Sequence, residues 1–436
     1  MPTTEVDGII KAEVSPDYHR SNYWGVKIMD KTIAVLATLD TKGYEAKYLK
    51  DEVEKKGKKT LVIDDGMLNP PLAVKPDITQ QIVAEEAGSS FEVIRKLGRG
   101  AAEEIMMKGV AKVLRDAHAA GRFDGVIAVG GQDGALLAAA GMRVLPVGVP
   151  KLIVTPIFQG QEPFGNYVGT NDLMMMHSVV DILGVNELSM KIFDVAIGAI
   201  VGMVEANVSS KMLQSKNLIA TTMFGNTTPL GMMVKSRLEE KGYEMVVFHP
   251  NGTGGRSMEE LIKQGAFAAV FDMTPHEVTG ELFGDLMRAG PDRLEAAGRK
   301  GIPQLIVPGC IDFLILGPFD SLPAKYRKRK VYHFNPAVTM VRTTKEEMAL
   351  TAKVMADKLN KAVGPTAVVI PLGGFDMYCH KGEPLYDPEA DKVFIETFKK
   401  HLKPEIKVTE VDAHINDPVV AETVVPILIE LMEGRG

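Results

Sequence analysis

A chain of 436 residues with 45% hydrophobic and 24% charged positions is globular in composition and too long for one ordinary core, so two domains are expected. The formal net charge of −6 argues against wholesale binding to nucleic acid or to an anionic membrane, since either calls for a basic face. Cys310 and Cys379 are the only two cysteines, which fits a reducing cytoplasm better than a secreted disulfide framework.

Met1–Asp30 reads as an arm carrying Tyr18, Tyr23 and Trp24, with no apolar signal core. A β-loop-α rhythm begins at Lys31. Thr32–Ala37 is a continuous apolar run suited to a strand buried on both faces, followed by a helix over Tyr44–Lys56 that stops at Gly57. A strand at Thr60–Ile63, a polar excursion over Asn69–Gly88 and a long helix over Gly100–Ala120 come next. Gly125–Val129 then runs into Gly130–Gly134 and an Ala-rich helix, and Lys151–Thr155 forms a further strand. Met174–Met176 reads as core filling. Val195–Val204 is too short for a membrane span and reads as a buried helix.

Near Lys211–Lys216 the pattern restarts, with Leu218–Thr222 as strand, Pro229–Lys241 as helix and Met245–Phe248 as the next strand. This repeats the grammar of the first unit and sets a boundary near Ser209, giving a first α/β domain over 31–208 and a second over 209–436. Strands at Ala268–Asp272, Gln304–Val307 and Thr366–Ile370 continue the second sheet, with helices over Glu346–Ala362 and Pro418–Met432. The fold class is therefore α/β, two doubly wound, Rossmann-like domains with mostly parallel sheets and a cleft between them.

Ligands of such sheets collect beyond the carboxyl ends of the strands, where the candidate loops lie. Gly130, Gly131, Gln132, Asp133 and Gly134 follow a buried strand and open a helix, so their amides would point at a phosphate, or form a tight turn only. No Gly-Lys-Ser/Thr follows, so this is not a Walker A loop. Thr38, Asp40, Thr41 and Lys42 offer hydroxyls, a carboxylate and a point charge for ribose and phosphate, or N-cap the next helix. Gly252, Thr253, Gly254, Gly255 and Arg256 precede a helix expected from Ser257, and suit a carboxylate or phosphate clamp for a substrate. His249 is a general acid or base, or a polar strand end. His276 beside Glu277 has the composition of a proton-transfer pair, although neighbours on a helix point apart and Thr274-Pro275 suit a helix start. A zinc site from Cys310, Cys379, His333 and His380 lacks ligand spacing, so no metal is assigned. The basic run Lys325–Lys330 reads as a solvated connection.

Leu39-Asp40-Thr41-Lys42, Gly130-Gly131, Tyr167–Asp172, Ser178–Asp181 and Gly252–Arg256 occur in order with Pro308-Gly309, Asp312, Arg342-Thr343-Thr344, Tyr386–Asp391 and Asp412–Asp417. In these motifs, from about Lys31 onward, the chain resembles the family formed by the ATP-binding domain of the tomato mosaic virus resistance protein and its bacterial relatives. The resemblance implies two α/β subdomains, ATP as ligand, and homodimers. It implies no established reaction. The plant relative's additional C-terminal domain has no counterpart in this sequence, so that relative's antiviral partner is not carried over.

The expectation is a cytoplasmic, nucleotide-dependent enzyme that binds ATP, with or without magnesium, on its first domain and a small anionic substrate near Gly252–Arg256. Arg256 would clamp the anion, and His249 or His276 would move protons. Two rivals stand beside it: an ATP-gated, dimeric binding protein with little turnover, and an enzyme on a sugar-like or acyl substrate that needs no nucleotide.

Overall fold

The aliphatic runs that open each β-loop-α unit form strands buried on both faces, as in β1 (Thr32–Ala37), where every residue after Thr32 is buried. The computed structural model describes residues 31–156, 165, 167–206 and 217–434; the arm with Tyr18, Tyr23 and Trp24 and the boundary expected near Ser209 lie outside them. The described residues form two units. One holds 31–156 and 173–206, and the other holds 217–434 together with Val168–Asp172.

In the first unit β1 is joined by β2 (Lys59–Asp64), β3 (Gly125–Val129), β4 (Lys151–Thr155) and β5 (Met174–His177). The order is β2-β1-β3-β4-β5 and every pairing is parallel. Helices Leu39–Lys55 and Glu187–Glu205 bury Leu49, Val53, Ile197 and Ile200 against Val35, Val62, Ile127 and Val154 of the sheet. The Glu187–Glu205 helix buries only one stripe, since Val195 is exposed, and no helix among the described residues is long and apolar enough to cross a membrane. Met174–Met176 departs from the core role expected of it. As the last strand of the sheet, β5 lacks a neighbour on one side; Met174 is 43% exposed, while Met176 packs against the core.

The second unit contains β6 (Leu218–Thr222), β7 (Glu244–Phe248), β8 (Ala269–Asp272), β9 (Gln304–Ile306), β10 (Phe313–Leu316), β11 (Val331–Asn335), β12 (Val338–Arg342), β13 (Thr366–Pro371) and β14 (Lys407–Val411). Six of these make a parallel sheet in the order β14-β13-β9-β8-β6-β7, and β10-β12-β11 make a separate antiparallel sheet. The terminal helix Pro418–Met432 buries Val420, Val424 and Leu428 beside Leu230, Val234 and Leu238 of helix Thr228–Glu239. The basic run Lys325–Lys330 is no simple solvated connection. Lys325 and Arg329 lie over the ring of buried Tyr326, and Arg329 pairs with Glu347 at 2.6 Å.

Both parallel sheets wind alike. In each, the second strand lies on one side of the first and the third lies on the other, so the chain reverses direction across the sheet at β1/β3 and again at β6/β8. Loops at such a reversal diverge and leave a crevice beyond the strand ends.

Candidate functional site

The crevice of the first unit is built from the loops after β1 and β3. The helix after β1 starts at Leu39, earlier than Tyr44, with Lys42 off helical geometry at φ −120°, ψ 21°. Asp40 and Thr41 do not cap it. Asp40 Oδ2 accepts the amides of Leu68 and Asn69 at 3.1 and 3.0 Å, and the Thr41 hydroxyl donates to the Thr38 carbonyl at 3.3 Å. Thr38 occupies the cap position, yet its hydroxyl donates to Asp65 Oδ1 at 2.8 Å instead of serving the helix.

After β3 the chain passes through Gly130 into helix Gln132–Met142, with Gly131 at its N-cap. The Gly130 amide donates to Val154 O at 3.2 Å and the Ala135 amide to Gly131 O at 2.9 Å. The amides of Gly131, Gln132, Asp133 and Gly134 have no partner among the described residues, so a helix N-terminus with its partial positive charge stands open. Glycine is required at 130, where a Cβ would stand 2.9 Å from Gly134 Cα. At 131 a Cβ would meet nothing within 4 Å.

Thr38, Asp40, Thr41 and Lys42 line the same cavity of about 420 Å³ as all five residues Gly130–Gly134. Met67, Leu68, Ile94, Leu97 and Ala102 supply apolar wall, and Arg99 joins them. The cations here are partly committed: Arg99 pairs with Asp133 and, at 3.2 Å, with Glu103, while Lys42 Nζ donates to the Ile182 carbonyl. Asp64 and Asp65, absent from the sequence reading, lie beneath. Asp64 Oδ1 accepts the Leu39 and Gly66 amides at 3.1 and 2.9 Å. Burial pushes the Asp65 carboxyl up to about 8 and that of Asp64 to about 6. Asp40 Oδ1, Asp64 Oδ2 and Asp65 Oδ2 are buried with no hydrogen-bond partner. The available signal was Asp64-Asp65-Gly66, an acidic pair at a strand tip.

The glycine loop of the second unit clamps an anion from its own chain. Helix Thr253–Gln264 begins earlier than Ser257, and the amides of Gly252 and Gly255 donate to Glu277 Oε1 at 2.7 and 3.1 Å. Arg293, buried, binds Glu277 Oε2 at 2.6 Å, Asp272 Oδ2 at 2.6 Å and Glu259 Oε1 at 3.3 Å. The glycines are needed for this packing: a Cβ on Gly252 would strike Arg288 O, on Gly254 His249 O, and on Gly255 Glu277 Oε2. Thr253 is exposed on the first turn of that helix. Exposed Arg256, expected as the substrate clamp, donates from Nε to the Gly252 carbonyl of its own loop at 3.3 Å.

His276, expected to move protons, is held by the fold on both ring nitrogens. It is fully buried, with Nδ1 on Cys310 O at 2.6 Å and Nε2 on Asp285 Oδ2 at 2.9 Å. Burial, the largest single effect, disfavours its cation, but the charge and hydrogen bond of Asp285, the Cys310 carbonyl and the charge of Glu277 together outweigh it and raise the imidazole. Glu277 points elsewhere, as stated above. His249 differs: it is exposed and lines a cavity of about 440 Å³ with Phe224, Gly225, Asn226, Phe313, Phe334 and Tyr378. Phe224–Asn226 belong to the loop after β6, at the second unit's own reversal point. Gly252–Arg256 instead follow β7, the last strand of the sheet.

Comparison with known proteins assigns both units. Residues 31–209 match the N-terminal domain, and residues 216–432 the C-terminal domain, of "Uncharacterised protein family (UPF0261)". A UPF0261 protein of Clostridium tetani is 42% identical over 407 residues, covering 93% of this chain and all of that protein. The ToMV resistance protein Tm-1(GCR237) of Solanum lycopersicum is 34% identical over 355 residues, 80% of this chain and 46% of that protein. Among solved structures, UDP-N-acetylglucosamine 2-epimerase from Rickettsia bellii aligns over 93% of this chain and 98% of its own at 11% identity and a TM-score of 0.22. With both family domains matched in order and a relative aligned along its whole length, the chain belongs to the UPF0261 family.

Proposed function

We propose that the first unit binds ATP, with the phosphates on the amides of Gly131–Gly134 and the base against the apolar wall of Ile94 and Leu97. One observation carries this reading. Two segments far apart in sequence, Thr38–Lys42 and Gly130–Gly134, line one cavity at the β1/β3 reversal, with unpartnered amides at a helix N-terminus. Such an end attracts an anion without a lysine, and about 420 Å³ lies within the range of small-molecule pockets.

The carboxylates beneath the cavity bear on how a polyphosphate is tolerated there. Asp40, Asp64 and Asp65 repel it unless they are neutral or neutralised. A magnesium ion fits this donor set, since Asp40, on the cavity wall, has a buried, unpartnered oxygen. Magnesium is therefore the expected companion of the nucleotide.

The second unit supports an enzyme, and the substrate class changes with the site. Gly252–Arg256 holds Glu277, so the substrate place moves to the 440 Å³ cavity after β6, whose aromatic wall suits an apolar or aromatic moiety. His249 is the imidazole on that wall and the candidate for proton transfer. Calorimetry with ATP, with and without magnesium, tests the first assignment. One site per chain, tightened by magnesium, is expected; absence of binding at millimolar ATP would refute it.

A further inference from the structure

A second group of polar side chains is buried in the C-terminal domain, away from the glycine loops. Asp312, just after the loop that follows β9, and Asp376 and Cys379, after β13, each offer one ligand atom within 4.8 Å of the others. All three are buried, with Asp312, Asp376 and Cys379 at 0% exposure. Both carboxylate oxygens of Asp312 lack a hydrogen-bond partner, as does Asp376 Oδ2. A buried carboxylate oxygen without a partner is costly, and three of them beside one thiol call for a common counter-charge, the fourth oxygen, Asp376 Oδ1, accepting the Tyr378 amide at 2.7 Å.

The protein supplies too little of it. Among the described residues Arg342 brings a guanidinium to this group, and its Nη2 donates to the Asp391 carboxylate and to the carbonyl of Asp387. Its Nη1 takes the Asp312 carbonyl and the Thr343 hydroxyl, and lies 3.8 Å from Asp312 Oδ2, beyond hydrogen-bond distance. Arg342 is thus shared between Asp391 and Asp312, and one positive charge faces Asp312, Asp376 and the thiol of Cys379. The nearby imidazole of His414 meets the Asp376 carbonyl at 3.0 Å and leaves the carboxylate alone. Asn226 Nδ2 approaches Asp376 Oδ1 at 3.3 Å, a weak neutral partner.

We propose that Asp312, Asp376 and Cys379 bind a first-row divalent transition ion of the zinc class. A thiolate with two carboxylates selects such an ion over magnesium or calcium, which take oxygen ligands. The thiol gives up its proton on ligation, and the dipositive ion together with the Arg342 guanidinium then balances the Cys379 thiolate and the carboxylates of Asp312 and Asp376. Asn226 also lines the cavity that holds His249, which puts the ion behind that cavity's wall. The sequence reading paired Cys379 with histidines; its partners here are Asp376, in the same loop after β13, and Asp312, whose approach from beyond β9 spacing along the chain could not show.

The test uses the full chain, freed of metal with a chelator, dialysed against Zn²⁺, cleared of excess and assayed for metal content. One zinc per chain is expected. Asp376→Asn and Cys379→Ser should each lower this at least tenfold, while Cys310→Ser, a second buried thiol in the same apolar cluster, should retain it. Co²⁺ in place of zinc should give a near-ultraviolet thiolate band that Cys379→Ser lacks. Zn²⁺ at a hundredfold excess over its Kd should raise the melting temperature of the unsubstituted chain by roughly 5 °C or more, a readout needing no variant. Zinc content below a tenth per chain with an unmoved melting temperature would overturn the proposal and leave a proton shared between Asp312 and Asp376. Equal zinc content in wild type and Cys379→Ser would overturn it too.

Discussion

Gly131→Val separates a phosphate cradle from a mere turn, because the structure gives positions 130 and 131 opposite constraints. Gly131 has φ −70° and ψ −155°, accessible to any residue, and its Cβ would enter open space. Folding should therefore tolerate valine within about 1 kcal/mol, the scale of losing a favourable N-cap residue. The branched side chain would occupy the ground in front of the amides of Gln132–Gly134. Hydrogen bonds to a charged group contribute about 1.5–3 kcal/mol each. Losing two raises Kd by roughly 100-fold to 10,000-fold, from about 3–6 kcal/mol. Gly130→Ala is the contrast: its Cβ meets backbone at 2.9–3.0 Å, which cannot yield like a flexible side chain, so about 1–3 kcal/mol of stability should be lost. Calorimetric titration with ATP and thermal melting of both variants make the comparison. A Gly131→Val protein that melts like wild type and binds ATP within threefold of it would refute the reasoning.

Three other expectations follow from the same geometry. Asp65 binds its proton more tightly folded, at about 8, than unfolded, so the stability from its neutral form is full below about pH 4 and is lost as pH rises towards 8. Asp65→Asn should therefore gain on wild type by up to about 1.4 kcal/mol per pH unit across that window; a melting difference that is flat between pH 5 and 8 would contradict this. Arg293→Ala strips the partner from three buried carboxylates and should cost at least about 3–5 kcal/mol in denaturant unfolding, and a loss under 1 kcal/mol would show the network to be incidental. Arg256→Ala should leave ATP affinity and any later-found turnover within twofold of wild type, since its guanidinium serves its own loop.

The reach of the sequence differs from loop to loop for a physical reason. Gly130–Gly134 was legible as a glycine turn into a helix because strand, glycines and helix are consecutive, and the open groups at that helix start are backbone amides fixed by local geometry. The same logic marked Gly252–Arg256 as an anion clamp, and that chemistry is present. The anion, however, is Glu277, supplied by the helix after another strand, and nothing local to either segment announces a contact made by folding. The partners of His276, Asp285 and Cys310, are likewise settled by packing and not by the adjacent Glu277. The β10-β12-β11 sheet was missed because its strands interrupt a parallel α/β rhythm, whereas the aliphatic runs of β1, β3 and β6 advertise burial on both faces. Asp64 and Asp65 needed the depth of β2's end to be known before an acidic pair could be told from solvent-facing charge.

Amide hydrogen exchange of the full chain, with and without saturating magnesium ATP, tests the central claim most directly. Slowed exchange in peptides spanning 130–135 and 38–43, with none in 250–258, is the predicted pattern. Protection confined to 250–258, or unchanged exchange across 130–135 while ATP is demonstrably bound, would contradict the placement of the phosphates at the β1/β3 reversal.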